Sequence, residues 1–384
     1  MEYIKLREVI SSAKTERCGA SDYPVLSITK SDGVVLQSDK FKKRIASTDT
    51  EQYKLVKRGQ LVQGIHIDEA NFGIQSIVDI GIVSPAYKIW NVDFQKIVPK
   101  YLETVLRSPR SVRYYSSKFN GSVKRRERIA DNDFLAMEIP FPSKEQQQYA
   151  VDVLEKASNM TTLYQQQLQK LDELVKARFV EMFGDCVLNT KRWNTRRLGD
   201  IAEVGSSKRV FVEELRESGI PFFRGTEIGA LAEGKSIKPE LFISENHYKE
   251  LCSATGTPNM GDLLMPSICP DGRIWVVNTT EPFYFKDGRV LWVHKIDRSY
   301  NSIFLLYTLK DRIMTDYSSI ASGTTFAELK IFALKECRIF DAPLELQEQF
   351  AAFVTQADKS KAVIQKALDE AQLLFDSLMQ QYFG

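Results

Sequence analysis

One segment of the chain satisfies the pattern of a phosphate-binding loop. Residues 229–236, Gly-Ala-Leu-Ala-Glu-Gly-Lys-Ser, match GxxxxGKS, in which backbone amides and the lysine cradle nucleotide phosphates. That chemistry needs Lys235 and Ser236 at the start of a helix whose free amides face the phosphates. Pro239 would interrupt the first turns of such a helix by steric clash and a lost donor. We therefore predict a turn between two strands here. A nucleotide hydrolase stays an alternative function, and this segment is its only support.

Other catalytic patterns are missing from the sequence. His66, His247 and His294 stand apart, without the close His or Cys spacing of a zinc site. No Gly-rich turn resembles a dinucleotide or methyl-donor site, and the absence of any Pro-Pro dipeptide excludes the Asn/Asp-Pro-Pro-Tyr/Phe motif of adenine methyltransferases. The 5 cysteines are scattered, which favours reduced, buried thiols in a cytoplasmic protein. We predict a non-catalytic chain that itself binds no metal and no cofactor.

Basic residues in loops suggest contacts with nucleic acid instead. Lysine and arginine can reach phosphates or guanine edges, and threonine can donate to phosphate or pack on a thymine methyl. The clearest segment places basic residues around a flexible Gly-Ser turn: Lys118, Lys124, Arg125, Arg126 and Arg128. Further candidates are Lys42, Lys43, Arg44, Lys57, Arg58, Lys208, Arg209, Arg224, Thr226, Arg273, Arg289, Thr324 and Thr325. The alternative for each is a solvated charge or a plain loop hydroxyl.

The charge is divided unevenly along the chain. The overall net charge is only +2. Residues 1–145 carry 24 Lys and Arg against 18 Asp and Glu, whereas residues 186–345 carry 21 of each. A basic first part permits a polyanionic partner without requiring one, because affinity depends on where charge is placed.

Two modules of mixed structure must position these residues. A chain of 384 residues exceeds one compact core, and no stretch approaches the roughly 20 apolar residues of a membrane span. Short β-like runs occur in both halves: residues 33–37, 76–83, 274–277 and 290–293. Residues 101–106 and 303–309 are typical of amphipathic helices, so we expect α+β modules.

A long helical pattern of apolar or small residues, here called a seam, occurs twice in the sequence. Apolar or small residues alternate at spacings of four and three in the first copy: Ala150, Leu154, Ala157, Thr161, Tyr164, Leu168, Leu171, Val175 and Met182. The second copy is Phe350, Val354, Ala357, Ile364, Leu368, Ala371, Phe375, Leu378 and Tyr382. This spacing keeps two helices in contact along their length, so each copy is expected to pair with the other. Arg178 and Lys361 are off type and are expected where the helices meet a partner or solvent.

The repeat extends beyond the helices. Pro-containing, Gln-rich segments precede both seams, at residues 142–149 and 343–350, with Ser143 a candidate cap. Both seams close on Phe-Gly. Residues 121–123, Gly-Ser-Val, precede the first helix, and residues 323–325, Gly-Thr-Thr, precede the second. The boundaries predicted from this order are modules at 1–145 and 186–345 and helices at 146–185 and 346–384.

Taken in order, these features resemble the specificity subunit of type I restriction-modification enzymes. The characteristic residues are Ser-Gly-Thr-Thr at 322–325, the Pro and Gln segment at 343–349 and the helix to Gly384, with the parallel stretch 121–184. The first copy departs from the family by reading Gly-Ser-Val, and it has one proline where many members have two. The resemblance implies two tandem target recognition domains separated by two long antiparallel coiled-coil helices, with a pseudo-twofold internal repeat.

The resemblance also implies a mechanism in which this chain recognises the DNA site and other subunits carry out the chemistry. Each domain would read one half of an asymmetric bipartite site in double-stranded DNA, and the helices would set the spacing. Two modification subunits would bind S-adenosylmethionine and methylate a flipped adenine at N6. Restriction subunits would add ATP- and Mg-dependent translocation and cleavage. No membrane partner is expected.

Two other functions remain open from the sequence. The same chain could guide a solitary methyltransferase that has no nuclease attached. Alternatively, it could be a coiled-coil scaffold whose tandem modules bind protein or glycan. Salt-sensitive binding to duplex DNA in the presence of a methyltransferase distinguishes the DNA-reading functions from the scaffold.

Overall fold

Both predicted seams fold as uninterrupted helices in the computed structural model of the chain. The first long helix, Lys144–Phe183, and the second long helix, Leu344–Phe383, each have 40 residues. Every seam position is buried or half-buried, including the off-type Arg178 and Lys361, and most residues between them are exposed. The helical periodicity is therefore confirmed. The helices begin slightly before the predicted residues 146 and 346, and the module boundaries stay predictions.

The structure describes residues 2–30, 32–40, 50–118, 129–323 and 327–384. The chain divides into two compact units. Unit 1 comprises Met1–Gln166 and Gln365–Gly384, and unit 2 comprises Gln167–Ile364. Each unit thus contains one module together with a segment of both long helices.

The two helix segments run antiparallel within each unit. In unit 2, the end of the first long helix meets the start of the second, where the ring centroids of Phe179 and Phe350 are 5.3 Å apart. In unit 1, the start of the first long helix and the end of the second share a core that includes Leu154 and Phe383. Pairing of apolar seams in this way buries both faces at once.

Lys361 contacts the other long helix, although its off-type position had suggested a place where the helix meets a partner or solvent. Its Nζ lies 2.7 Å from Asp172 on the first long helix, within unit 2, and its side chain is only 23% exposed. The long aliphatic stem fills the seam while the ammonium group reaches across it. Contact of Lys361 with a partner protein stays a prediction. Arg178 pairs with Glu181 at the surface, 2.8 Å away.

A capping box starts the first long helix. The Ser143 hydroxyl accepts from the backbone amide of Gln146 at 3.3 Å, and the Gln146 side chain accepts from the amide of Ser143 at 3.2 Å. Two amides that the helix cannot satisfy internally are thus bonded reciprocally. The predicted cap at Ser143 is confirmed.

Ser143→Ala should weaken this helix start by about 1 kcal/mol, because the Gln146 amide loses its acceptor. Hydrogen exchange is the appropriate measurement, and exchange at Gln146 should accelerate about fivefold. Ser158→Ala, at an exposed mid-helix position, is the matched control and should leave exchange at Gln146 unchanged. Equal exchange rates in the two variants would count against the cap.

Unit 1 combines short strands with short helices. Its strands are Tyr3–Lys5, Ile10–Ser12, Leu26–Thr29, Gly33–Leu36, Lys54–Lys57, Leu61–Gln63, Phe72–Ile74, Ile80–Val83, Lys88–Val92 and Glu138–Pro140. Its short helices are Leu6–Glu8, Gln37–Lys40, Ile67–Glu69, Pro99–Arg107, Pro109–Ser117 and Asp131–Ala136. The predicted strand at 76–83 is shorter than expected, since Gln75 uses its side chain to bond the amides of Ile77 and Val78 in a turn.

Unit 2 has the same mixed character. Its strands are Thr195–Arg197, Glu203–Gly205, Ile220–Phe223, Phe242–Ile243, Leu263–Pro266, Trp275–Val276, Tyr284–Phe285, Val290–His294, Ala321–Ser322, Glu328–Leu329 and Arg338–Phe340. Its short helices are Leu198–Ile201, Val212–Glu214, Gly225–Ala232, Glu245–Thr255, Ser302–Ile320 and Ile331–Lys335. The predicted helices at 101–106 and 303–309 both form, each longer than predicted.

The modules repeat one sheet topology. A four-stranded antiparallel sheet in unit 1 has the order Ile10–Ser12, Lys88–Val92, Leu61–Gln63, Phe72–Ile74. The sheet in unit 2 has the order Glu203–Gly205, Val290–His294, Leu263–Pro266, Trp275–Val276. The first and last strands of each module also pair, joining Tyr3 to Pro140 and Thr195 to Phe340. The predicted α+β class and its internal repeat are confirmed.

A buried glutamine ties each module to its long helix. Gln147 and Gln347 are both 0% exposed. The Gln147 side chain accepts from the Val98 amide at 2.9 Å and donates to the Pro142 carbonyl. Gln347 accepts from the Asn301 amide at 2.8 Å and donates to the carbonyls of Ser299 and Ala342. Val98 and Asn301 precede equivalent helices, so the repeat duplicates this polar joint.

Two further features of the structure concern possible membrane-spanning helices and the state of the cysteines. Within the described ranges, no helix is long and apolar enough to cross a membrane. All five cysteines are free thiols, and Cys252 is half-buried while the other four are buried.

Candidate nucleic-acid interface

Helix Gly225–Ala232 of unit 2 gathers four predicted DNA-contacting residues. Arg224 is its N-cap residue and Thr226 lies in its first turn. A Cβ atom on Gly225 would lie 3.4 Å from the Arg289 backbone oxygen, and one on Gly229 would lie 2.8 Å from a guanidinium nitrogen of Arg273. The two glycines, one turn apart, therefore let the segments that carry Arg289 and Arg273 approach the helix closely.

The helix is fixed to the module by apolar packing beneath it. Ile228 is 0% exposed and belongs to a core cluster with Phe223, Leu264 and Trp275. Strand Ile220–Phe223 leads directly into Arg224, so that strand also sets where the guanidinium emerges. The site is thus carried by rigid elements rather than by a long loop.

Arg224 is held by two carboxylates. Its Nη2 lies 2.5 Å from Glu227 and 3.1 Å from Glu240, and its Nε also donates to Glu227. Burial of the Glu227 carboxyl disfavours its charged form, but hydrogen bonds from the Arg224 side chain, its own amide and the Thr226 hydroxyl outweigh burial and lower its pKa to about 2. The pKa of Arg224 is raised by its hydrogen bond with Glu227.

The other two arginines are oriented in the same manner. Arg273 Nε lies 2.8 Å from Asp271, and Arg273 Nη1 lies 3.9 Å from Glu233. Arg289 Nη1 pairs with Glu328, which also lies 3.3 Å from Lys330. We call Arg224, Arg273, Arg289 and Lys330 the arginine cluster.

Pairing with carboxylates determines what the arginine cluster can do. A guanidinium has five N–H donors, so a carboxylate that engages two or three of them leaves others for a ligand. The carboxylates also offset the positive charge, which weakens any nonspecific attraction for phosphates. Fixed guanidinium groups with donors to spare suit hydrogen bonds to guanine O6 and N7 in the major groove.

Replacing Glu227 tests the electrostatics of this site. Because its folded pKa of about 2 lies below its ordinary value of 4.5, Glu227 stabilises the fold at pH values above 4.5, and that contribution fades as the pH falls toward 2. Glu227→Gln should cost about 1 to 2 kcal/mol at pH 7 and clearly less at pH 3. Urea unfolding followed by tryptophan fluorescence measures both values.

Glu240→Gln is the control, since the Glu240 side chain is 73% exposed and its pairing with Arg224 is screened by solvent. That variant should change stability by less than about 0.5 kcal/mol at either pH. An equal loss for Glu227→Gln at pH 7 and pH 3 would contradict the ionic role of Glu227.

Lys208 and Arg209 lie on another part of unit 2. Both are exposed. The Lys208 amide donates to the Tyr284 hydroxyl at 3.0 Å, and the Arg209 guanidinium lies 5.2 Å from the centre of the Phe211 ring. Ser206, just before them, donates to the Val290 carbonyl and accepts from the Gly288 amide. The segment thus runs beside the strand that follows Arg289.

The predicted residues of unit 1 are less clearly grouped. Arg58 is turned back onto its own module, because Nε bonds Asp79 at 3.0 Å and the other guanidinium nitrogens donate to the carbonyls of Ser76 and Ile77. Lys57 is exposed at the end of a strand. Lys118 ends a helix, and its ammonium group lies 5.9 Å from the Tyr114 ring centre.

Half of the predicted contacts lie outside the described residues. These are Lys42, Lys43, Arg44, Lys124, Arg125, Arg126, Arg128, Thr324 and Thr325. They stay predictions. The residues that flank 324–326 are described, and they form the short pair Ala321–Ser322 with Glu328–Leu329, next to Arg289.

The GxxxxGKS segment is placed unlike a phosphate-binding loop. Its first four residues form the end of helix Gly225–Ala232, and Lys235 and Ser236 follow that end. Carbonyls rather than free amides are therefore presented near Lys235, whose Nζ lies 2.5 Å from Glu233. The prediction of a turn between two strands is wrong in part, because a helix rather than a strand precedes the segment. Gly229 instead seats the Arg273 guanidinium.

Sequence reasoning missed the carboxylates that orient the arginines. Glu227 could have been found, since an acidic residue three positions after an N-cap is typical of a helix start. Glu328 could not, because 39 residues separate it from Arg289. Lys330 was overlooked for the same reason.

Comparisons with known proteins point to one family. Residues 190–372 match the type I restriction modification DNA specificity domain. The type I restriction enzyme MjaIX specificity subunit of Methanocaldococcus jannaschii is 28% identical over 197 residues, which cover 48% of this chain and 43% of that protein. The match therefore spans less than half of that relative's length.

Two solved structures share the fold over the whole chain. A chain from a study of complex assembly and conformational transition of the type I restriction-modification system has a TM-score of 0.59 at 17% identity, covering 100% of this chain and 97% of that one. The type I restriction-modification S subunit of M. genitalium has a TM-score of 0.58 at 14% identity, with coverage of 100% and 96%. Both likenesses show the architecture of tandem modules with long helices.

Proposed function

We propose that this chain reads DNA sequence for a complex whose chemistry resides in other subunits, because residues 190–372 match the type I restriction modification DNA specificity domain. The observation that carries the proposal is the duplicated module, each copy joined at a buried glutamine to its own long helix. Two similar frameworks with different surfaces suit two different half-sites. Unit 2 presents the arginine cluster, whereas Arg58 of unit 1 bonds to its own module.

The recognised site is then bipartite and asymmetric, with one half-site for each module. Two modification subunits dock on the chain, each bringing S-adenosylmethionine and flipping one adenine for methylation at N6. Restriction subunits, with ATP and Mg, complete the complex. Exposed apolar residues on the long helices, including Met160 and Leu163 in unit 1 and Leu174 and Val363 in unit 2, support protein docking along these helices.

Mapping of methylated adenines tests DNA reading by the arginine cluster. Arg224→Met, in a complex with the modification subunits, should relax one base pair of one half-site, with a loss of about 1 to 3 kcal/mol of discrimination, and leave the other half-site unchanged. Arg216→Met is the matched control, because Arg216 is exposed and its guanidinium donates to carbonyls of its own loop, those of Glu213 and Leu215. Unchanged specificity in Arg224→Met would remove Arg224 from the readout.

Charge reversal of Lys124, Arg125 and Arg126 together tests the first module. Binding to duplex DNA should weaken for all sequences alike and become less sensitive to salt, because phosphate contacts release counterions. Unaffected binding would exclude this segment from the contact with DNA. A chain that binds no duplex DNA at any salt concentration with its methyltransferase present would favour the scaffold function.

A further inference from the structure

The four-stranded sheets of the two modules align residue by residue. In each sheet, the first residue of the third strand pairs with a residue of the second strand, with Trp90 in unit 1 and with Val293 in unit 2. Lys88 lies two residues before Trp90, and Leu291 lies two residues before Val293. Lys88 therefore corresponds to Leu291, which follows Arg289 of the arginine cluster by two residues.

A salt bridge lies at this place in both modules. In unit 2, Arg289 pairs with Glu328, shortly before the helix that precedes the last strand of the module. In unit 1, the Lys88 ammonium pairs with Asp131, the first residue of the equivalent helix, and lies 3.5 Å from the Ile129 carbonyl oxygen. Unit 1 thus has a cation where unit 2 has one of its reading arginines.

Two further cations of unit 1 lie near Lys88. The Lys54 ammonium donates to the Tyr87 carbonyl at 2.7 Å, within the peptide group that joins Tyr87 to Lys88. Arg17 is directly opposite Lys54 in an antiparallel bridge, and its guanidinium donates to the Gln52 side chain. Side chains of directly opposed residues lie on the same face of the two strands. We call Arg17, Lys54 and Lys88 the basic cluster.

The positive charge of the basic cluster exceeds the negative charge beside it. Among the residues that the structure describes, Asp131 is the one carboxylate that forms a salt bridge with any of the three cations. Burial and the nearby Lys88 ammonium lower the pKa of Lys54, because both disfavour its charged form. Like charges directly opposite each other, as on Arg17 and Lys54, also destabilise a strand pair. A bound anion would offset these costs.

The free donors of the basic cluster suit a phosphate group. An ammonium has three N–H donors, so Lys88 keeps one beyond its carboxylate and carbonyl partners, and Lys54 keeps two. Lys54 and Lys88 are half-buried and Arg17 is exposed, so all three can be reached from solvent. Surplus charge favours phosphates over base edges, because each phosphate carries a full negative charge. The arginine cluster differs, since carboxylates offset its charge.

We propose that the basic cluster is a phosphate-contact site through which unit 1 binds the backbone of duplex DNA. The inference rests on the proposed function, DNA reading by this chain. At corresponding places, unit 1 then contributes affinity that is independent of sequence, and unit 2 reads bases. Arg128, a predicted DNA contact, directly precedes Ile129, so the site adjoins that predicted segment in the sequence.

The salt dependence of DNA binding tests this site in the complex with the modification subunits. Fluorescence anisotropy measures the affinity for a labelled duplex that contains the recognised site and for an unrelated duplex. Lys54→Gln and Lys88→Gln should each weaken binding to both duplexes by the same factor, and each should reduce the slope of log K against log salt concentration by about 1. An unchanged slope, or a loss confined to the recognised site, overturns the proposal.

Lys96→Gln is the matched control for Lys88→Gln. The Lys96 ammonium lies 3.3 Å from Asp93 and donates to the Glu8 carbonyl at 3.2 Å, so it has the same two kinds of partner. Its replacement should leave the slope unchanged. Lys88→Arg keeps the charge and should keep the slope of the unaltered complex, and a slope as low as that of Lys88→Gln would contradict a phosphate contact.

The double variant Lys54→Gln/Lys88→Gln separates this inference from the function on which it rests. Its slope should be lower by about 2. Salt-dependent binding that keeps its full slope in the double variant would overturn the basic cluster alone. An unaltered complex that binds no duplex DNA would contradict the proposed function and the site with it.

Discussion

Gln347→Leu is expected to destabilise unit 2 by about 2 to 4 kcal/mol. The substitution removes the acceptor of the Asn301 amide and the donor to the Ser299 and Ala342 carbonyls at a position with 0% exposure. Ala342 is buried and Asn301 is half-buried, and each such group that is left unpaired costs about 1 to 3 kcal/mol, whereas water can reach the exposed Ser299. Leucine has a similar volume, so the loss reports hydrogen bonding rather than a cavity.

Urea unfolding followed by tryptophan fluorescence measures this effect, because Trp193, Trp275 and Trp292 all lie in unit 2. Gln349→Leu is the matched control, since Gln349 lies on the same helix but is exposed. It should change stability by less than about 0.5 kcal/mol. A loss below about 1 kcal/mol for Gln347→Leu would mean that water or a rearranged backbone satisfies the three groups.

A paired insertion of one heptad in both long helices is expected to change the spacer of the recognised DNA site and not its half-sites. The insertions fall after Gln166 and after Ile364, where the compact units divide. Seven helical residues add roughly 10 Å, which corresponds to about three base pairs of duplex. A whole heptad preserves the seam in both helices.

The original site should lose its methylation, and mapping of methylated adenines should find the same half-sites farther apart. Insertion into the first long helix alone is the control. An unmatched heptad puts the two seams out of register on opposite sides of the insertion point, so it should impair the complex without creating a new spacing. Altered half-sites after the paired insertion would contradict the proposal that the helices act as a ruler.

The long helices could be predicted from the sequence because their signal is periodic and local. Each seam repeats one spacing over the whole length of the helix, and burial of the seam follows from that spacing alone. The off-type Lys361 shows where local reasoning fails. Its partner Asp172 lies on the other helix, and only the register of the pair brings the two together.

The candidate site was less accessible to prediction. Arginines in loops can be recognised as possible contacts, but the carboxylates that orient them come from distant segments, as Glu328 does for Arg289. The buried glutamines were hidden for a different reason. Gln147 lies in a run of three glutamines that is typical of an exposed helix face, and only the fold shows that the middle one is buried.

Each buried glutamine is bonded to its module through main-chain groups. Gln147 and Gln347 bond only amide and carbonyl groups of the main chain, and the pairs Tyr3 with Pro140 and Thr195 with Phe340 are main-chain ladders. The first and last strands of a module pair with each other, so the chain enters and leaves the module at one place. A replacement module needs the same paired strands, an amide for the glutamine and apolar side chains that pack on the long helices, as Tyr101 does on Phe383 and Phe304 does on Phe183. A module that keeps these contacts can therefore be exchanged as a whole, and the rest of its surface can vary without redesign of the long helices.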